Sequence, residues 1–308
     1  MRVATLLPPS RSGAGSSGKR RQEDGAGQQR GSAEVNPCTI IGIILAFGMV
    51  LGSAVIDGGH LDALVNLPAA MIVFGGTFGA IVIMFRLEDV KRLPMMVSKA
   101  FVASPPEPGA VCQKMVAMAK LARREGFLGL EREVPGVEET DPFLARALQM
   151  VADGTAPETV TDVLYTEVDQ LAERHKTGAT MLDAMGALAP TLGVTGTVMH
   201  LIHVMAMLDD PSAIGPAIAA AFLACLYGVA SANLIFIPLG GKLKAISKIE
   251  QHSREIVIEG VRSIQRGDNP ILVAEALKSF LPPEERNTLE GASRVEKGDD
   301  GAEQARAA

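Results

Sequence analysis

The sequence predicts an all-α integral membrane protein with four transmembrane helices in two hairpins. A helical cytoplasmic domain is formed by the loop between spans two and three and by the C-terminal tail. One observation is that the 29 Lys and Arg residues fall into three blocks, separated by two long stretches that contain none. Another is that these stretches hold four apolar runs of roughly 18 to 25 residues, enough to cross a hydrocarbon core about 30 Å thick.

The two apolar stretches have the same layout, a pair of spans joined by a short acidic turn. The first turn carries Asp57 and Asp62, and the second carries Asp209 and Asp210. A soluble all-helical protein with apolar core helices is the alternative interpretation, but core helices of this length normally carry a polar stripe and these runs have none. The predicted spans are residues 37–56, 68–85, 184–208 and 213–239.

The basic residues that flank the spans predict the orientation in the membrane. Cationic side chains near span ends stay on the cytoplasmic side, so both termini and the central block are expected in the cytoplasm and the two acidic turns outside. The flanking residues are Arg30, Arg86, Lys91, Arg92, Arg174, Lys176, Lys242 and Lys244.

Composition divides the chain into six segments. Both ends are rich in Gly, Ser, Gln and charged residues and bury too little apolar surface to fold, so we expect disordered tails at 1–36 and 287–308. Whether residues 1–36 are translated stays open. Between the tails, the predicted segments are the first hairpin at 37–85, a cytoplasmic helical domain at 86–183, the second hairpin at 184–239 and C-terminal cytoplasmic helices at 240–286.

Three helices are predicted in the central block. Apolar residues recur at helical spacing over 111–124, after a proline-rich breaker. Asp141 followed by Pro142 is typical of an N-cap and the first helical position. A third helix opens near Pro157 and is expected to run directly into span three.

The C-terminal block is predicted to extend the fourth span. An amphipathic pattern continues to about Gln265, and Asn269 followed by Pro270 caps a short final helix that ends before the next pair of prolines. Two cytoplasmic helices are therefore expected to be direct continuations of membrane spans.

Several function classes find no support in the composition. The net charge of −6 provides no basic field for nucleic-acid binding. Cys38, Cys112 and Cys225 are far apart and fit no metal or redox spacing, so we expect neither a metal nor a cofactor. The sequence shows no nucleophile and base pattern of an enzyme.

The predicted spans carry few polar groups, which matters because intramembrane ionisable residues usually mark a conduction path. His200 and His203 are the ionisable residues that lie deep in the predicted spans. They either line a pore or form hydrogen bonds between helices. Thr197 either coordinates a passing cation or bonds the preceding turn of its own helix. Pro190 is expected to kink span three. Because the spans hold no carboxylate, any acidic ion carrier must come from another subunit.

Glycine pairs at a spacing of four appear in the first hairpin, at Gly48 and Gly52 and again at Gly75 and Gly79. This spacing allows helix backbones to approach closely, although the motif is common and is also compatible with generic helix packing.

Several short motifs occur together in one order. In this combination the sequence resembles the A-subunit of the flagellar motor stator, the MotA/PomA family, within the MotA/TolQ/ExbB proton-channel superfamily. The resemblance covers about residues 37–285. Its motifs are FGGTFG at 74–79, ALAPTLG at 187–193, DDP at 209–211, AIGPA at 213–217, LYG at 226–228 and IQxGxNP at 264–270.

The resemblance implies a multi-pass protein of the bacterial inner membrane that is not an enzyme. In that family, the A-subunit self-associates into a ring in the lipid bilayer, around the membrane helices of a MotB/PomB-like single-span subunit. An aspartate of the partner carries the ion, and ion flow is converted into torque on the rotor. A TolQ/ExbB-type energiser is the alternative, but such proteins have three spans and an outside N-terminus.

The resemblance also assigns a surface that contacts the rotor switch protein. The segment ARREGFLGLE at 122–131 matches the loop motif of the family. The residues assigned to this contact are Arg123, Arg124, Glu125, Glu131 and Glu133. Arg132 stands where some members have an acid. A solvated charged face is the plain alternative, because exposed ion pairs contribute only about 0 to 1 kcal/mol.

The ion pathway is assigned in the same way, to Pro190, Thr197, Ala224, Cys225 and Tyr227. Sodium-driven members carry hydroxyls in both span three and span four, whereas Ala224 and Cys225 stand at the span-four positions here. The resemblance therefore favours protons over sodium ions. A substrate transporter is a further alternative, but it predicts paired repeats and intramembrane charges that the sequence lacks.

Overall fold

The described part of the chain is helical throughout. The structure, a computed structural model, describes residues 37–102 and 105–286, and no strand occurs within them. The predictions for 1–36 and 287–308 lie outside the described residues. The helices are α1 Pro37–Ile56, α2 Leu67–Ala70, α3 Gly76–Met84, α4 Leu87–Val102, α5 Pro108–Glu125, α6 Phe127–Glu138, α7 Pro142–Ala152, α8 Pro157–Ala206, α9 Pro211–Ser231, α10 Ile237–Gln265 and α11 Pro270–Lys278.

The first hairpin consists of α1 and of a second span built from α2, a π turn at Met71–Gly75 and α3. The Asn66 side chain caps α2 by accepting a hydrogen bond from the Ala69 N–H. No residue of α1 is buried, so its apolar surface remains for lipid or for other chains. Gly48, Gly52, Gly75 and Gly79 have no neighbouring atom within 4 Å of an added Cβ, so they make no close helix contact inside this chain.

The second hairpin continues without a break into a helical domain outside the spans, as predicted. Helix α8 has 50 residues and a length of about 75 Å, so it combines a helix of this domain with span three. Pro190 lies inside α8 and does not end it. Span four passes from α9 through a π turn at Ala232–Phe236 into α10, which ends at Gln265. Among the described residues, four helices, two from each hairpin, are long and apolar enough to cross a membrane.

The helical domain outside the spans has its own core. Buried side chains from α5, α7, the first half of α8, the second half of α10 and α11 pack together, with Leu130 contributed by α6. The caps predicted from sequence are present: the Asp141 side chain accepts from the Leu144 N–H, and that of Asn269 accepts from the Ile271 N–H. The helix predicted over 111–124 is found as α5. These local signals fix where the helices begin and end.

A second core extends from the spans, where it includes Ile81 and Ala189, to α4. Leu93 and Ala100 of α4 pack with residues of α8 and α10, among them Leu182 and Leu243. The sequence reasoning predicted neither α4 nor α6, because each has a proline inside it, Pro94 and Pro135. Tertiary burial of the apolar face compensates for the missing backbone hydrogen bond in α4.

Candidate functional site

Helices α8 and α9 are in backbone contact where span three meets span four. A Cβ added to Gly228 would lie 2.5 Å from the carbonyl oxygen of Ala189, and one added to Gly193 would lie 2.9 Å from that of Ala224. A Cβ added to Gly196 would lie 2.8 Å from the Cβ of Ala224. Ala224 is fully buried in this contact. Its small size is therefore needed for packing, since a larger side chain would press against Gly196.

Thr197 directs its hydroxyl to backbone carbonyls. Its Oγ1 lies 3.0 Å from the carbonyl oxygen of Gly193 in its own helix and 3.0 Å from that of Ala221 in α9. A hydroxyl has one proton, so it donates to one of these carbonyls at a time and its lone pairs remain available. The sequence allowed two interpretations of Thr197. The structure shows the hydrogen bond to the preceding turn of its own helix, and the Ala221 carbonyl of α9 is a second acceptor.

The two membrane histidines differ in environment. The Nδ1 of His200 lies 2.7 Å from the carbonyl oxygen of Gly196, so the ring donates a proton to its own helix. Within the described residues His200 forms this bond inside its own helix and none to another helix, so its role in lining a pore stays a prediction. His203 is exposed in the isolated chain and makes no hydrogen bond to a described residue.

Tyr227 joins span four to the outer loop of the first hairpin. Its hydroxyl donates to the carbonyl oxygen of Leu64 and accepts from the N–H of Asn66 at 2.8 Å. Its ring stacks on Phe74, with centroids 6.2 Å apart. Tyr227 thus holds two hairpins together. Cys225, next to it in the motif, is partly buried.

A polar group of residues lies where spans three and four continue into the helical domain, and no functional role was predicted for it from the sequence. Asp183 of α8 pairs with Lys244 of α10. Further down, the Nδ1 of His175 lies 3.3 Å from the Oγ of Ser247 and 3.8 Å from a carboxylate oxygen of Glu250. Burial lowers the pKa of His175, and the nearby Glu250 carboxylate offsets this in part. These contacts connect α8 to α10.

The predicted rotor-contact residues gather around the turn between α5 and α6. Gly126 makes this turn with φ +72°, a conformation that other residues rarely adopt. Arg123, Arg124, Glu125, Glu131 and Glu133 are all exposed. A groove of about 470 Å³ opens beside them, between Phe127 on one side and Asp268 on the other.

Arg132 takes part in the pairing within this surface. Its guanidinium lies 3.4 Å from a carboxylate oxygen of Glu125, and both side chains are largely exposed. Such a pair contributes little to stability. Glu125 therefore has a basic partner within the chain, whereas Arg123 and Arg124 have no ion pair with any described residue.

These features define a multi-pass helical membrane protein with a tight contact between spans three and four. Residues 137–256 match the MotA/TolQ/ExbB proton channel family, and residues 40–126 match the Motility protein A N-terminal family. No group of three or more His, Cys, Asp or Glu side chains able to hold a metal ion occurs within 37–102 and 105–286.

Comparisons with individual proteins agree with the family matches. Motility protein A of Bacillus subtilis is 35% identical over 271 residues, which are 87% of this chain and 98% of the relative. Motility protein A of Borreliella burgdorferi is 34% identical, over 83% of this chain and 97% of the relative. The solved flagellar MotAB stator complex of B. subtilis contains a chain that superposes with a TM-score of 0.73 at 35% identity, covering 82% of this chain and 98% of that one.

The chain therefore belongs to the Motility protein A family and is a flagellar stator subunit. The match of the first hairpin to the Motility protein A N-terminal family disfavours the TolQ/ExbB-type energiser, which has no such hairpin. The relatives of this chain are stator subunits, which points to a protein that is not an enzyme.

Proposed function

We propose that this chain forms the walls of an ion path whose acidic carrier is an aspartate of a MotB/PomB-like single-span subunit. The observation that carries the proposal is that the four spans contain no carboxylate at all; Asp183 lies at the cytoplasmic end of span three and is paired with Lys244. The solved relative is the flagellar MotAB stator complex of B. subtilis.

We further propose that the coupling ion is the proton. A partly dehydrated sodium ion requires several oxygen ligands. At the contact of spans three and four, neither Ala224 nor Cys225 supplies a side-chain oxygen, so the Thr197 hydroxyl would have to ligate a sodium ion without hydroxyl ligands from those two positions. A proton needs only an acid and a chain of hydrogen bonds.

The coupling ion is tested by swimming speed across a series of sodium concentrations at constant ionic strength, with and without a protonophore. We expect the speed to be independent of sodium and to be abolished by the protonophore. A speed that follows sodium and survives the protonophore contradicts the proton assignment.

The orientation proposed is that of an inner-membrane protein with both termini in the cytoplasm, as the flanking basic residues favour. A membrane-impermeant maleimide applied to intact cells should label a cysteine introduced at Asp57 and should not label one introduced at Glu133. The labelling is compared in a background in which the three native cysteines are replaced. Labelling of the Glu133 position would reverse the orientation.

The turn between α5 and α6 is proposed as the surface that acts on the rotor switch protein. Arg123→Glu should strongly reduce swimming at unchanged expression, because it reverses an exposed charge that has no partner within the described chain. Lys114→Glu is the matched control, since Lys114 is also exposed on α5 but lies away from the turn. Equal loss in both variants would show that the turn has no special role.

A further inference from the structure

A groove of about 370 Å³ separates α1 from span four at the end of the spans that is nearest the helical domain. Its α1 side is formed by Thr39, Ile43 and Ala46, which recur at helical spacing and therefore lie on one face of the helix. This face points toward span four, yet no residue of α1 is buried. The two helices thus leave a space between them that the described residues do not fill.

Lys242 is the one charged side chain among the described residues that line this groove. It is half-buried, and its ammonium donates a hydrogen bond to the hydroxyl of Thr39 in the first turn of α1. It forms no ion pair with a carboxylate of the described chain. An ammonium has three N–H donors, so the described residues leave two of them for an anion.

The apolar part of the groove lies on the membrane side of Lys242. Along α1 the groove runs from Thr39 to Ala46, which is seven residues or about 10 Å. Along span four it runs from Lys242 back to Leu234, which is eight residues or about 12 Å. Half of the hydrocarbon core measures about 15 Å, so the groove extends from the membrane boundary over most of one leaflet.

The deep end of the groove offers little to water. Leu234, Pro238 and Leu239 line it on the side of span four. Asn233 is the polar side chain there, and its amide donates to the carbonyl of Val229 in its own helix at 2.9 Å. Because ordered water needs several polar partners, an apolar space at this depth is filled by apolar groups from the bilayer.

We propose that this groove binds one phospholipid of the leaflet next to the helical domain. Its phosphate accepts a hydrogen bond from the Lys242 ammonium, and one acyl chain lies along Ile43, Ala46 and Leu234. Since Lys242 lies at the membrane boundary and the apolar wall lies deeper, headgroup and chain keep the order that they have in the surrounding lipid. An anionic headgroup is preferred, because no acidic side chain among the described lining residues would hold the ammonium of a zwitterionic lipid.

The headgroup contact is tested by native mass spectrometry. The chain is purified in mild detergent in the assembly with its partner subunit, stripped of lipid, and titrated with phosphatidylglycerol or phosphatidylcholine of identical acyl chains. We expect tighter retention of phosphatidylglycerol and about a fivefold loss of this preference in Lys242→Gln, which removes one basic charge near the lipid. Lys242→Arg keeps the charge and should keep the preference.

Three results of this titration overturn the proposal. The first is equal retention of the two lipids by the wild type, and the second is an unchanged preference in Lys242→Gln. The third is a loss in Lys242→Arg as large as that in Lys242→Gln, because the position would then matter for packing and not for its charge.

A matched pair of glycine variants tests the apolar part of the groove. Gly42 lines the groove and Gly48 lies in α1 outside it, and at both positions an added Cβ has no neighbouring atom within 4 Å. Gly42→Leu places an isobutyl group in the groove and should displace one lipid per copy of the chain, whereas Gly48→Leu should retain it. The mass of the intact assembly shows that both variants fold and assemble. Equal lipid retention in the two variants contradicts the assignment.

Other occupants give distinct results. A photo-reactive benzoylphenylalanine at Ile43, activated in native membranes, should form an adduct with a phospholipid. Capture of another copy of the chain or of the single-span partner would show that protein fills the groove. Displacement of the lipid by glycerol 3-phosphate at comparable concentration would identify a site for a soluble anion. Either of the last two results overturns the proposal.

Discussion

At the scale of single residues, Tyr227 shows how a motif residue assigned to the ion pathway also has a structural role. Its hydroxyl bonds to the loop of the first hairpin through Leu64 and Asn66, and its ring packs on Phe74. These contacts join residues more than 150 positions apart in the chain. The phenolic oxygen of Tyr227 therefore adds hydrogen bonds to the packing that holds the two hairpins together.

Tyr227→Phe is expected to lower stability while keeping the ring stack. Loss of the hydroxyl leaves the Leu64 carbonyl and the Asn66 N–H without their partner, at a cost of about 1 to 3 kcal/mol. Thermal unfolding in detergent measures the effect. Tyr165→Phe is the control, because Tyr165 is exposed on α8 and its hydroxyl bonds to no described residue. Equal shifts in both variants would show that the interhairpin bonds contribute nothing.

His175 makes stability depend on pH. Burial lowers its pKa from the usual 6.5, so the fold favours the neutral ring; Glu250 opposes this, and Lys99, Arg174 and Arg254 reinforce it. The unfolded chain therefore binds this proton more readily, and stability present above about pH 6.5 is lost as the pH falls through the lower folded pKa.

We expect His175→Gln to flatten this part of the pH profile, because an amide can still bond Ser247 but does not titrate. Unfolding is followed from pH 8 to pH 5 for the wild type, for His175→Gln and for His60→Gln, which changes a histidine in the outer loop. A wild-type slope that persists in His175→Gln, or disappears in His60→Gln, assigns the effect to another group.

The sequence left two readings open for Thr197 and for His200, and the structure shows why. In an apolar span the carbonyl four residues earlier is always within reach, so both side chains bond to it. The second acceptor of Thr197, on Ala221, depends on the contact between α8 and α9. Such a tertiary contact has no local signal in the sequence.

At the scale of helices, the boundaries that could be predicted were those set by local chemistry. Asp141 and Asn269 cap their helices as expected, because a short polar side chain before a proline satisfies nearby backbone N–H groups. Helices α4 and α6 and the π turns could not be predicted in this way. Helix α4 packs against the distant helices α8 and α10, and α6 packs on its neighbours α5 and α7; in both, this packing offsets the cost of an internal proline.

The contact of α8 and α9 predicts that Gly228→Ala is strongly destabilising. The new Cβ would lie 2.5 Å from the backbone oxygen of Ala189, which cannot move without separating the helices. Overpacking of this kind costs about 1 to 3 kcal/mol. Gly215→Ala in the same helix is the control, since nothing lies within 4 Å of its added Cβ. Thermal unfolding should separate the two variants, and equal stability would contradict the close contact.

The turn between α5 and α6 predicts a different outcome for Gly126→Ala. At φ +72° an alanine is strained by about 1 to 2 kcal/mol, so α6 should shift relative to Arg123 and Arg124 while the membrane spans remain intact. We expect reduced swimming with normal membrane insertion.

Gly136→Ala, inside α6 and without neighbours, is the control for this change. It should be neutral or slightly stabilising, because alanine favours a helix over glycine. Swimming speed at equal protein level is the measurement. Normal swimming in Gly126→Ala would show that the position of α6 does not matter for torque.

At the scale of the whole molecule, the fold class could be predicted because it follows from the positions of basic residues and from the lengths of apolar runs. The sequence does not predict what covers the helix surfaces that are exposed in the single chain. No residue of α1 is buried within the chain, and its glycine pair has no neighbour there. Groups that cover those surfaces lie outside this chain, so its sequence does not specify them.

The central claim is that this chain supplies the walls of the ion path and a partner supplies the acid. It is tested most directly by the swimming speed of cells that lack their own copies of both stator subunits and receive this chain with the single-span subunit of the same organism. We predict swimming when the partner carries its membrane aspartate, and none when that aspartate is replaced by asparagine or when this chain is supplied alone. Unchanged speed with the asparagine variant would contradict the account.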